Sequence, residues 1–458
     1  MNLKVNAKLD PKFQPLAVVV REMKEATKEN GQDVIVAIER NRGQISTYKT
    51  RIYPDGTGHD EENFRFIERI VKSLLWIAGG YKIFIAGSDV VGNKIKEAYT
   101  PDGIRAFDED YMAGVFERPF EVVICSLEEA PEENYIAESV GRHLDGCRIG
   151  FDAGGSDRKV SAVIDGESVY SEEVVWFPKL NSDPEYHYQG ILEAMKTAAS
   201  KMPRVDAIGV SSAGVYIENR TMAASLFLKV GKEDFDKRIK NIYLDVAKEI
   251  GEDIPVVVAN DGDVTALAGA MDLNDDSILG IAMGTSEAGG YIDAEGNITG
   301  WLNELAFVPC DFNEEAMVDE WSGDYGCGVK YFSQDGVIKL APAAGINLDE
   351  NLSPAEKLKV VQGLMEKGDQ NAADIYDTIG VYFGYALAYY SEFYDIKHVL
   401  IMGRVTSGQG GQIILSRAQE VLDKEFPELA SKMELHIPDE KSRRVGQSVA
   451  AASLPKLN

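Results

Sequence analysis

Cysteine is scarce in this chain. Cys125, Cys147, Cys310 and Cys327 are the four among 458 residues, and no two form a Cys-x-x-Cys pair. That spacing excludes a disulfide framework and a standard zinc ribbon, and it fits reduced thiols. Positive charge is short as well: 47 Lys plus Arg stand against 75 Asp plus Glu, a formal net charge of −28. Such a surface repels a phosphate backbone, so nucleic acid is not an expected partner. Long apolar runs are missing. The most apolar stretch, residues 73–92, is broken by Lys82, Asp89 and several glycines, and MNLKVNAKLDPKF at the start has no apolar signal core. The sequence therefore predicts no membrane contact and a cytoplasmic location.

What is present is a globular composition, 45% hydrophobic and 27% charged. At ~150 residues per domain the length suggests about three units. Residues 33–53 cluster β-branched and aromatic residues on both sides of Asn41, Arg42 and Gly43, which predicts a hairpin. From Glu61 to Ala78, Phe64, Ile67, Ile70, Val71, Leu74 and Leu75 recur at three- and four-residue spacing, one apolar face of a helix. Tyr81 to Ala86 reads as a strand. The same order returns as a hairpin over 147–167, a helix from Gln189 to Lys201 and a strand over 205–214. This pattern suggests an internal repeat with Glu39 opposite Asp152, although any two ββαβ segments look alike at this level. Beyond it, helix (Phe235 to Ile250), strand (Ile254 to Ala259), helix (Val264 to Ala270) and strand-turn-strand (Ile278 to Ile292) alternate. A long helix from Asp374 to Phe393, a strand at His398 to Met402 and a helix from Gly411 to Leu422 follow. Interleaving of this kind predicts an α/β fold.

Four segments carry chemistry. In FDAGGSD a strand ends at Asp152 and turns through Gly154 and Gly155. Glycine N–H groups there can face phosphate oxygens, Ser156 adds a hydroxyl donor and Asp152 can hold a hydrated Mg²⁺. An Asp-x-Gly-Gly hairpin also serves as a plain tight turn. In VVVANDGDV an apolar strand ends at Asn260 and Asp261 and passes into a helix. A carboxylate at that edge can accept a proton from a hydroxyl attacking phosphorus, or Asp261 or Asp263 can simply cap the helix. MGTSEAGGYI offers Gly284, Thr285 and Ser286 as phosphate donors on a second hairpin. HVLIMGRVTSGQGG is a strand with a Gly-rich turn into a helix, a place where a nucleotide can rest.

Together, in this order, these segments resemble the actin, heat-shock chaperone and sugar kinase superfamily, and within it the ROK family, over residues 147 to 455. The resemblance implies an actin-like ATPase (ribonuclease H-like) two-lobed α/β fold, with lobes at 146–260 and 261–458 and an added N-terminal α/β domain at 1–145. It implies Asp261 as catalytic base, with Asn260, Glu304 and Gly214 as sugar ligands. Asp152, Gly154, Gly155, Ser156, Gly284, Thr285 and Ser286 would hold the phosphates, Gly403 and Ser407 the nucleotide, and Asp152 the Mg²⁺. The implied function is transfer of the γ-phosphate of ATP to a sugar hydroxyl in a cleft between the lobes. A non-catalytic sugar or nucleotide sensor of the same fold is the alternative. Two departures stand out. NELAF keeps Glu304 but has Phe307 where the family has a sugar- and zinc-binding His, and the family's zinc cysteines are missing, so no structural zinc is expected. GTSEAGG places Ser286 and Glu287 where glycine and a small neutral residue are usual, and Glu287 would add negative charge beside the phosphates. Residues 1–145 lack the helix-turn-helix of the family's repressors; a dimer contact, giving a homodimer, or a lid over the cleft are the roles left for them.

Overall fold

The computed structural model describes residues 1–135, 140–438 and 440–457, without the side chains of 440–445. Its architecture is mixed α/β, built on two compact units. One comprises Met1–Ile136, Ile281–Gly289 and Trp301–Ile437; the other comprises Ala137–Gly280, Gly290–Gly300 and Pro438–Asn458. The spans 1–145, 146–260 and 261–458 are regrouped by this division. Residues 1–136 share a unit with 301–437, and the helix Asp261–Leu273 shares one with the strands that precede it.

In the first unit, β1 (Gln32–Glu39) and β2 (Ile45–Ile52) pair antiparallel through a turn in which Arg42 and Gly43 both take positive φ. β2 alternates buried and half-buried or exposed positions, the period of a strand with one covered face. With β3 (Lys82–Ala86) and β4 (Glu121–Cys125) they form a sheet in the order β2-β1-β3-β4. The helix Asp60–Ala78 carries more than the single apolar stripe that its spacing predicts, for Glu68, Arg69 and Lys72 are buried with the hydrophobic residues. Burying these charges is tolerable because they are paired. Arg69 Nη1 lies 2.9 Å and Lys72 Nζ 3.3 Å from Asp324 Oδ2, Arg105 Nη1 lies 2.8 Å from Asp324 Oδ1, and Lys72 also reaches Asp108 at 3.1 Å. Removing one partner from such a set leaves an uncompensated buried charge, at a cost of about 3–5 kcal/mol. Residues near the N-terminus are tied to the tyrosine-rich helix Gln370–Tyr390: the Tyr382 hydroxyl donates to Asp10 at 2.6 Å, and that of Tyr385 to the Val5 carbonyl at 2.9 Å.

The second unit is organised on five strands: β5 (Cys147–Ala153), β6 (Asp157–Ile164), β7 (Glu167–Val175), β8 (Ala207–Ser212) and, after a short ribbon of β9 (Val215–Ile217) and β10 (Arg220–Ala223), β11 (Val256–Asn260). Their order is β11-β8-β5-β6-β7. β5, β8 and β11 run parallel, whereas β5-β6 and β6-β7 are antiparallel. Phe151, Ile191, Met195, Val210 and Tyr243 are among the apolar side chains of its core, each stabilising the unit by roughly 1.5–3 kcal/mol when fully buried. The helix Glu440–Ala452 lies against β5 and β8. Gly150 and Gly209 are register partners there, and a Cβ on either would stand 1.9 Å from the Ser448 carbonyl oxygen or 1.6 Å from that of Ala451. Only glycine fits a backbone approached that closely.

The proposed repeat agrees with this architecture in element order and departs from it in direction. β3 runs antiparallel to β1, while its counterpart β8 runs parallel to β5. A strand reversed in this way presents its opposite end at the edge where β1 finishes, so Glu39 has no equivalent of the strand-end neighbours described below for Asp152.

The remaining strands are β12 (Ile278–Met283), β13 (Glu287–Ile292), β14 (His398–Met402) and β15 (Glu434–His436), in the order β13-β12-β14-β15. β14 and β15 pair in parallel. Among the described residues no helix is long and apolar enough to cross a membrane.

Candidate active site

Three parallel strands of the second unit finish at one edge, and register brings their last residues together. Asp152 of β5 is the partner of Ser211 of β8, and Ser212 is the partner both of Ala153 and of Asn260 at the end of β11. The carboxyl-terminal edge of parallel strands is where open α/β sheets bind ligands. The sequence segments around Asp152 and Asn260–Asp261, more than a hundred residues apart, are thus joined at one edge by β8.

Asp152 is 6% exposed. Ser211 Oγ donates to its Oδ1 at 2.9 Å, and Lys159 Nζ lies 3.8 Å from Oδ2. Burial lifts its pKa to about 6; Lys159 and the Ser211 hydroxyl oppose the rise, and the nearby Asp261 carboxylate adds to it. A buried carboxyl with one oxygen engaged, and with a second carboxylate close enough to disfavour its ionisation, is suited to a cation that would restore the charge. That chemistry fits a hydrated Mg²⁺, which keeps most of its waters and needs only one or two protein carboxylates.

Asn260 caps the helix Asp261–Leu273: its Oδ1 accepts from the Gly262 N–H at 2.7 Å, and its Nδ2 donates to the Gly214 carbonyl at 2.8 Å. The helix therefore begins three residues before the expected Val264, and the capping role falls to Asn260. Asp263, the other capping candidate, is buried and accepts from the Tyr291 N–H at 3.0 Å. Asp261 is the first helical residue, and its Oδ1 accepts from the Gly262 N–H at 3.1 Å. Burial raises its pKa, opposed by backbone N–H groups and by Lys179. A carboxylate made more basic by burial yet kept ionisable by a helix N-terminus has the two properties a general base needs. Gly214 has φ of 144°, and a Cβ there would meet the Ala223 carbonyl oxygen at 2.4 Å.

Gly154, Gly155 and Ser156 form the turn between β5 and β6. The Gly154 carbonyl accepts from Trp176 Nε1 at 2.8 Å, and Ser156 Oγ donates to Asp157 at 3.0 Å. A Cβ on Gly155 would meet Lys179 Cε at 2.9 Å. Lys179 and Lys159 are cations at this edge that sequence reasoning passed over. Neither sits in a recognisable motif: Lys159 lies seven residues beyond Asp152 on the next strand, and Lys179 follows β7 in the short 3-10 turn Pro178–Leu180.

Glu304 and the remaining expected ligands belong to the first unit. Gly284, Thr285 and Ser286 make a tight turn in which the Gly284 N–H donates to the Ser286 carbonyl at 2.9 Å, leaving Thr285 and Ser286 exposed. Glu287 turns away from that exposed tip. It is 3% exposed, and a Cβ on Gly328 would stand 2.2 Å from its Oε2. Burial drives its pKa well above the ordinary carboxylate value, against the opposing Tyr390 hydroxyl. The negative charge expected beside the phosphates is corrected accordingly. Gly403, at φ of 101°, passes the Met283 backbone so closely that a Cβ would lie 2.4 Å from its carbonyl oxygen. Ser407 lines a cavity of about 340 Å³ with Gln362, Met365, Tyr376, Gly408 and Gly410, beside the N-terminus of the helix Gln409–Glu425. Glu304 is half-buried and its N–H donates to the Trp76 carbonyl at 3.1 Å. Phe307 packs on Trp76 at a centroid distance of 4.2 Å and on Phe107 at 5.8 Å. The aromatic residue expected to replace a His is thus half-buried against aromatic rings of the N-terminal segment. Cys310 and Cys327 are buried free thiols.

No protein-family model and no curated protein matches the chain. Solved structures to which it is similar include the ROK hexokinase from Thermus thermophilus, at 17% identity and a TM-score of 0.49 over 66% of this chain and 97% of that one. A ROK family glucokinase from Streptomyces griseus in complex with glucose and AMPPNP is 19% identical, with a TM-score of 0.44 over 66% of this chain and 98% of that one. A ROK family transcriptional regulator, a homolog of the E. coli MLC protein, is 17% identical, with a TM-score of 0.49 over 68% and 79%.

Proposed function

We propose that this chain is an ATP-dependent sugar kinase of the ROK kind, in which Asp261 takes the proton of a sugar hydroxyl as that oxygen attacks the γ-phosphate. The observation that carries the reading is the strand-end constellation of Asp152, Ser211, Asn260 and Asp261. It sets two carboxyl groups with raised pKa values at the carboxyl-terminal edge of three parallel strands.

Phosphoryl transfer asks a protein for position and charge more than for covalent help. Asn260 has one amide hydrogen and one oxygen lone pair beyond its bonds to Gly214 and Gly262, enough to fix one sugar hydroxyl. Gly214 is the other sugar ligand proposed within this unit, and Glu304 is the one proposed within the first unit. Each unit has its own proposed phosphate turn, Gly154–Ser156 in the second and Gly284–Ser286 in the first, with N–H and hydroxyl donors. Gly403 and Ser407, with the cavity that Ser407 lines, supply the nucleotide site. Asp152 would hold a hydrated Mg²⁺, which would supply positive charge to offset that of the phosphates. Asp261 receives the proton, and the helix N-terminus favours its ionised carboxylate until it does.

The reading also carries a cytoplasmic enzyme without a nucleic-acid or membrane partner, with residues 1–145 available for a homodimer contact. Its test is ADP release with Mg-ATP against a panel of hexoses and amino sugars. Sugar-dependent release supports the kinase. Thermal stabilisation by sugar or Mg-ATP with no release supports a sensor instead.

A further inference from the structure

Two histidines and a glutamate that the proposed kinase site does not use converge at the edge of the sheet β13-β12-β14-β15. His398 opens β14, and Glu434 and His436 lie two residues apart on β15, the edge strand. The parallel register sets His398 opposite Glu434 and Leu400 opposite His436. Alternation along β15 sends Glu434 and His436 to the same face. His398 Nδ1 and His436 Nε2 stand 3.1 Å apart, and Glu434 Oε2 lies 3.7 Å from each of them.

We infer that His398, Glu434 and His436 form a site for a single divalent transition-metal ion of the zinc class. Bonds of about 2.0–2.2 Å from nitrogen and carboxylate oxygen to a tetrahedral zinc put neighbouring ligand atoms about 3.3–3.5 Å apart, and the three observed separations bracket that range. Two imidazole nitrogens and one carboxylate oxygen are also the donors that such an ion prefers to hard, all-oxygen alternatives. Solvent reaches the site from the Glu434 side, since that residue is exposed, His436 half-buried and His398 buried. Water can therefore take the fourth position. The ion would fasten the three-residue β15 to β14 at the sheet edge, so its role is to hold the strand.

A simple His–His hydrogen bond with a passing carboxylate accounts for the same distances and makes the opposite prediction. The test uses the full chain, purified without a histidine tag and stripped with chelator, titrated with Zn²⁺ by calorimetry and with Co²⁺ by visible absorption. The expected result is one equivalent of Zn²⁺, a tetrahedral Co²⁺ spectrum and a raised melting midpoint on adding Zn²⁺. In Glu434→Gln, on the exposed side, affinity should fall 10-fold or more, and in His436→Asn binding should vanish. Circular dichroism and the metal-free melting midpoint of both variants verify that they fold. Absence of Zn²⁺ binding, or binding unchanged in both variants, overturns the assignment. A His436→Asn chain that does not fold leaves Glu434→Gln to decide.

Discussion

Ser211 and Asp152 face one another across two parallel strands, and the Ser211 hydroxyl donates to Asp152 at 2.9 Å. The bond favours the ionised carboxylate, yet burial outweighs it and lifts the group from an ordinary 3.8 to about 6. A carboxyl raised on folding contributes stability that is fully present below its unfolded value and is lost as pH rises through its folded one. Between pH 5 and pH 7.5 the native chain must therefore give up roughly 1 kcal/mol at this residue. Asp152→Asn keeps an acceptor for Ser211 and has no charge to bury. Its melting midpoint relative to wild type should rise from pH 5 to pH 7.5, while its response to Mg-ATP should weaken. An offset that does not change with pH contradicts the account.

Glu287 tests where a charge lies. Were its carboxylate directed at the ATP phosphates, Glu287→Gln would lower the KM for ATP. Buried beside Gly328 and turned away from the exposed tip, it should leave that KM within about 2-fold of wild type. Its effect should instead appear in stability, because the wild type loses stability as pH climbs toward the raised pKa and the glutamine variant does not. Melting curves from pH 6 to pH 9, beside ATP kinetics, separate the two.

Gly209 and Gly114 should respond to alanine in opposite directions. At Gly209 a methyl group would collide with the Ala451 carbonyl oxygen and push the C-terminal helix off the sheet, a backbone clash costing about 1–3 kcal/mol or more. Gly114 lies within the helix Ala106–Phe116 with nothing within 4 Å of its added Cβ, so alanine there should stabilise by about 0.5–1 kcal/mol. Urea denaturation of both variants measures the contrast, and a neutral Gly209→Ala would refute the close packing.

Local pattern made much of the site legible. Apolar strands that end abruptly at Asp152 and at Asn260 need only neighbouring residues to be recognised, as does the glycine turn between β5 and β6. The strand His398–Met402 matches its expected bounds, and the helix Asp60–Ala78 begins one residue earlier than expected. What the sequence hid depends on partners far along the chain. The direction of β3 beside β1 is set by tertiary pairing, and no periodicity encodes it. Glu287 sits in a motif where a carboxylate reads as a surface charge, and only the space beside Gly328 shows where it goes. Asp261 and Asp263 read as the capping candidates from the sequence, whereas it is Asn260 that holds the Gly262 N–H. Gly150 and Gly209 look like ordinary strand residues until the C-terminal helix is laid against them.

The central claim rests on Asp261, whose place at the end of β11 and the start of a helix makes it the proposed base. Asp261→Asn retains the shape and the helix start and removes the proton acceptor. In sugar-dependent ADP release with Mg-ATP, turnover should fall about 100-fold or more, with the KM for sugar and the melting midpoint little changed. Turnover preserved in that variant would contradict the account.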